Sequence, residues 1–83
     1  AFAAAQTLSG HTGYVNCVTK LDDGRVVSGS EDKTLIVWAA GDDGSFAAAQ
    51  TLSGHTGSVL CVTQLDDRRL VSASTDNTLK VWE

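Results

Sequence analysis

Apolar and polar positions alternate along this chain in short runs, and clusters of turn residues separate the runs. Val15-Asn16-Cys17-Val18-Thr19-Lys20-Leu21 is rich in β-branched residues and ends at Asp22-Asp23-Gly24, a hairpin turn signal. Arg25-Val26-Val27-Ser28-Gly29-Ser30 reads as the returning strand. The polar turn Glu31-Asp32-Lys33 then leads into a third strand, Thr34 to Trp38. Beyond the loop Gly41-Asp42-Asp43-Gly44, residues Phe46 to Leu52 form a fourth. Its alanine triplet has weak β propensity, which an outer edge strand tolerates because less packs against it. No 11-residue window carries a helical stripe. The pattern predicts four antiparallel strands, lettered a to d.

The same pattern returns as Val59 to Leu65, Leu70 to Ser74 and Thr78 to Trp82. When positions 1–39 are set against 45–83, 28 of 39 pairs are identical, with an unbroken block from Phe2 to Gly13 against Phe46 to Gly57. A period of 44 falls within the span of one four-stranded propeller blade, about 40–45 residues. Helical repeats have similar periods, but the strand pattern selects the blade. The strand order becomes d, a-b-c-d, a-b-c: residues 1–9 form a leading strand d, 10–53 a complete blade, and 54–83 a blade that lacks its strand d.

Gly10-His11 followed by Ser28-Gly29-Ser30, Asp32 and Trp38 resembles a WD40 repeat, and Gly54-His55, Ser72-Ala73-Ser74, Asp76 and Trp82 repeat the spacing. The resemblance covers essentially the whole chain. One departure is that the name-giving Trp-Asp pair reads Trp38-Ala39 and Trp82-Glu83. The resemblance implies an all-β protein of four-stranded antiparallel β-propeller blades, two per chain. It also implies a structural tetrad in each: Trp38, Ser28, His11 and Asp32, then Trp82, Ser72, His55 and Asp76. The logic is satisfaction of buried polar groups, since indole N–H, hydroxyl, imidazole and carboxylate form a donor–acceptor chain. Members of the family bind proteins or peptides on the face carrying the d–a and b–c loops. Tyr14, Asn16 and Glu31, with Ser58, Leu60 and Thr75 in the second copy, take the exposed positions there. All three pairs differ between copies whereas the tetrads do not, and Tyr14 and Leu60 are the candidate anchors.

Propellers need about 4–8 blades, so two blades do not close a ring. WD40 propellers close by pairing the first strand with the last blade. Here that pairing is expected between molecules, residues 2–8 of one completing blade 2 of the next in a head-to-tail contact. Four chains would give eight blades and three would give six, with the tetramer favoured. The expected function is a non-catalytic protein-interaction scaffold whose first partner is itself. An excised or engineered double blade, suggested by the missing methionine and the end at Glu83, is one alternative; a propeller enzyme or small-ligand site is the other.

Composition narrows this further. A formal net charge of −4 with six scattered Lys and Arg residues opposes nucleic-acid and polybasic membrane contacts. No apolar stretch reaches transmembrane length and no signal-peptide pattern opens the chain. Cys17 and Cys61, each in an apolar run, read as reduced thiols of a cytoplasmic, reducing compartment. Ser, His and Asp in each copy suggest a hydrolase triad, but Ser28 lies within a strand without a nucleophile elbow. No metal or cofactor is expected, since Asp22-Asp23, Asp42-Asp43 and Asp66-Asp67 lack EF-hand spacing and two distant histidines make no zinc site. These aspartates should instead gather on the face opposite the binding loops, against Arg25, Arg68 and Arg69. The turn Asp66-Asp67-Arg68-Arg69 lacks the glycine of the first copy, and is disfavoured if Arg68 must take positive φ.

Overall fold

The computed structural model describes residues 2–83 and contains seven strands. They are β1 (Val15–Lys20), β2 (Val26–Ser30), β3 (Thr34–Ala40), β4 (Phe46–Ser53), β5 (Val59–Asp66), β6 (Arg69–Ser74) and β7 (Leu79–Trp82). Strands β1-β2-β3-β4 form one antiparallel sheet and β5-β6-β7 a second. Both are sequential meanders of the expected blade order. The alanine-rich β4 pairs with β3 from Thr34↔Ser53 to Ala40↔Phe46, with one extra residue, Ala49, between Val37 and Trp38.

Turn chemistry fixes the hairpins. Gly24 takes φ +93 and its N–H donates to the Leu21 carbonyl, closing β1 onto β2. In the second sheet Arg68 does not take positive φ: left-handed backbone outside glycine falls on Lys33 (φ 77) and Asn77 (φ 70). The strand itself changes instead. β5 runs on to Asp66 with Leu65 as an extra residue, and the Asp66 carboxylate accepts the N–H groups of Arg68 and Arg69. An aspartate hydrogen-bonding its own turn replaces the glycine.

Bulges decide which side chains face the neighbouring sheet. The pairing shifts between Val15 and Cys17, and again between Val59 and Cys61. An extra residue in a strand turns the side chains beyond it to the other face, so Val59 and Val62 point the same way although they are three apart. Both are buried. They pack on Leu21, Val27, Leu35 and Val37 of the first sheet, with Cys17, Leu52, Leu70 and Trp82 around the margin. Close approach is possible because Gly29 lies under Val59: a Cβ there would stand 2.6 Å from Val59 Cγ1. The core is therefore the contact between the two blades.

Residues 2–14 contain no strand within this chain. The leading strand d expected over Phe2 to Leu8 finds no sheet edge of its own molecule to pair with, and Ala1 lies outside the described residues. Among the described residues, Gln6 ties the stretch from Phe2 to Leu8 to β4: its amide donates to the Phe46 carbonyl (2.7 Å) and accepts from the Phe46 N–H (2.9 Å).

Candidate functional site

Each blade carries one polar chain centred on a buried serine. In blade 1, Trp38 Nε1 donates to Ser28 Oγ at 2.9 Å, Ser28 Oγ lies 2.7 Å from His11 Nε2, and His11 Nδ1 lies 3.0 Å from Asp32 Oδ2. Blade 2 repeats this at 2.8, 2.7 and 2.9 Å through Trp82, Ser72, His55 and Asp76. The carboxylate only accepts, so Nδ1 carries the imidazole proton and Nε2 accepts from the serine hydroxyl. Every donor is thereby used once. Among the described residues no buried side-chain nitrogen or oxygen lacks a partner.

The aspartate also holds the turn. Asp32 Oδ2 accepts the Thr12 N–H, while Oδ1 accepts from the Thr34 N–H and hydroxyl; Asp76 serves Thr56 and Thr78 identically. Ser30 and Ser74 cap the same turns by accepting the Asp32 and Asp76 N–H groups. Burial pushes the Asp32 carboxyl up, but the Thr34 hydroxyl, the Thr12 N–H and His11 outweigh it and hold it well below the usual range. The Thr78 hydroxyl leads the same effect at Asp76, partly opposed by burial. Sequence reasoning missed Thr12, Ser30 and Thr34 with their counterparts Thr56, Ser74 and Thr78. All three are unchanged between copies, a usable signal.

As chemistry, the arrangement positions rather than reacts. Ser28 and Ser72 are buried, and each hydroxyl already accepts an indole N–H. A nucleophile needs access and oxyanion donors beside it, and neither serine has that access. Among the described residues no cluster of His, Cys, Asp or Glu could hold a metal ion.

The loop candidates separate. Tyr14 is largely exposed, and Glu31 and Leu60 are exposed too. Asn16 is exposed as well, and its amide donates to the Val59 carbonyl at 3.0 Å, tying blade 1 to blade 2. Thr75 and Ser58 hold each other, the Ser58 N–H donating to Thr75 Oγ1 and the Thr75 N–H to the Ser58 carbonyl. On the opposite side, Asp22, Asp23, Asp66 and Asp67 line a cavity of about 370 Å3 between the blades, together with Arg25, Arg68 and Arg69. Asp42 and Asp43 do not line it. Two ion pairs, Asp23–Arg25 and Asp66–Arg69, neutralise part of that charge. Cys17 is half-buried, with burial raising its thiol pKa, and Cys61 is exposed; both are free.

The 44-residue equivalence exposes a second site, made of the two outer faces. Val27, Leu35 and Val37 are buried against blade 2, yet counterparts Leu79 and Val81 are bare: Leu35 is 0% exposed and Leu79 71%. Conversely Val59 is 0% exposed and its counterpart Val15 57%. Val18 is bare where Val62 is buried. The free face of blade 1 therefore matches the blade 2 half of the internal contact, and the free face of blade 2 matches the blade 1 half except at Ala73, which stands in the place of Gly29. Leu8 already lies beside Val26 and Trp38 along a shallow 140 Å3 groove. Leu52 lies likewise beside Leu70 and Trp82. The family model described as WD domain, G-beta repeat matches residues 3–39 and 46–83.

Proposed function

Because the chain belongs to the WD40 family, whose repeats generally serve protein interaction without catalysis, we propose that it is a scaffold module that assembles head-to-tail with copies of itself into a closed propeller. The observation that carries this reading is the complementarity of the free faces: each is one half of a blade–blade contact that the chain already makes internally. Apolar faces of this kind need cover. A contact whose two halves differ is heterologous and closes into a ring when the rotation fits. Residues 2–8 repeat the sequence of β4 up to Leu52, and β7 offers the edge that β3 offers to β4. Carrying the observed register over by 44 places Leu8 opposite Leu79 and Gln6 opposite Val81 in the neighbour. Four chains supply eight blades and three supply six; we favour four.

The tetrads serve this function by stiffening each blade. They tie the loop before strand a to strands b and c, so that the blade presents fixed faces. The ring in turn displays Tyr14, Glu31 and Leu60 for protein or peptide ligands, and Tyr14 supports this use because a large aromatic side chain stands free beside a polar rim. Two free cysteines agree with a reducing, cytoplasmic setting.

Multi-angle light scattering over a wide concentration range tests the assembly. A mass near four times 8.7 kDa is expected, and three times would shift the ring to six blades. A particle that stays at 8.7 kDa at the highest concentration would refute the proposal.

A further inference from the structure

We infer that Gln50 is the residue that clamps the incoming strand of a second copy, by gripping the backbone of that copy's Phe2; the inference rests on the self-assembly reading above. Gln6 grips Phe46 through both atoms of its amide, donating to the carbonyl and accepting the N–H. Such a bidentate grip reads backbone and not side chain, so any residue presenting a free N–H and C=O in that place satisfies it. Gln50 is the repeat counterpart of Gln6, inside the identical stretch Phe-Ala-Ala-Ala-Gln-Thr-Leu. Its side chain makes no hydrogen bond among the described residues, is exposed, and lines a cavity shared with Trp82 of β7 and the adjoining Glu83.

The counterpart of Phe46 for Gln50 is the first residue of the strand that completes blade 2. In the proposed ring that strand comes from the next copy, and its first residue is Phe2. Phe2 is fully exposed and carries the same sequence context as Phe46. Each copy would then contribute Gln6 to hold its own Phe46 and Gln50 to hold its neighbour's Phe2. One glutamine per blade links every outer strand to the next around the ring.

Sedimentation equilibrium of wild type, Q50A and Q50E tests the clamp, with hydrogen exchange of the Gln50 side-chain amide as a readout that needs no variant. Losing two partly exposed hydrogen bonds should raise the dissociation constant between copies about tenfold in Q50A. Q50E should lose as much at neutral pH, because its carboxylate meets the Phe2 carbonyl, and should regain affinity when protonated. The Gln50 amide protons should gain protection on assembly. If wild type assembles while Q50A associates equally well and the amide stays unprotected, the clamp is wrong and self-assembly stands. A wild-type chain that never associates overturns both.

Discussion

Gly29→Ala is the sharpest probe of the contact on which this protein is built. The added Cβ would stand 2.6 Å from Val59 Cγ1 and 2.8 Å from Cys17 Sγ. Carbon atoms settle at about 3.5–4.0 Å, so the two sheets must part by about 1 Å, or Val59 must leave its rotamer. Overpacking of this kind costs about 1–3 kcal/mol. Alanine returns about 0.4–1 kcal/mol by restricting the unfolded chain, since Gly29 does not use positive φ. A net loss of about 1–2 kcal/mol remains, or about 4–16 °C in Tm for a domain of this size. Urea unfolding followed by the fluorescence of Trp38 and Trp82 measures it. One fixed protein concentration is essential, because association raises apparent stability. Ala73→Gly is the matched control: it alters the counterpart position on the free face, so within one chain it loses only the ordinary cost of glycine in a strand, about 0.5–1 kcal/mol. A Gly29→Ala protein as stable as wild type would show that the blades do not meet as described.

Two further perturbations test the polar chains. Ser72→Ala leaves the Trp82 N–H and His55 Nε2 without partners at a buried site, and should cost about 1–3 kcal/mol for each orphaned group by thermal melt; a change within error would demote the tetrad to decoration. Acid should also destabilise the fold, because Asp32 and Asp76 are held below their unfolded value of 3.8. Their contribution is complete above that value and is lost as pH falls through it toward the folded values. Asp32→Asn should therefore flatten the acid limb of a stability–pH curve, and an unchanged limb would contradict the assignment.

Local features of the fold were legible because their causes are local. Alternation gave the strands, Asp22-Asp23-Gly24 and Asp42-Asp43-Gly44 gave turns, and identity at 44-residue spacing gave two blades. The tetrad members were assigned through the resemblance to WD40 repeats, which their residue types and spacing carry. Their turn-holding companions Thr12, Ser30 and Thr34 were not singled out, since hydroxyl residues near turns are common. Asn16 kept its tie to blade 2 hidden for a different reason. It stands at a bulge, and the pairing that creates a bulge involves a second strand; only then does its amide face the Val59 carbonyl. Its counterpart Leu60 lacks such an amide, so the two repeats differ in the tie they offer their neighbours.

What the sequence by itself determined was the unit: strand content, repeat length, hairpin order and the polar chain that locks each blade. What only the tertiary structure decided was which faces of those units meet. Two-residue periodicity says that one face of a strand is apolar, but the bulges at Asn16 and Leu60 reset that phase, so the partner surface emerges only when the sheets are stacked. The same valines and leucines are core in one copy and bare in the other because burial belongs to the pair of blades in contact, and a repeat cannot encode on its own which of its copies has a neighbour.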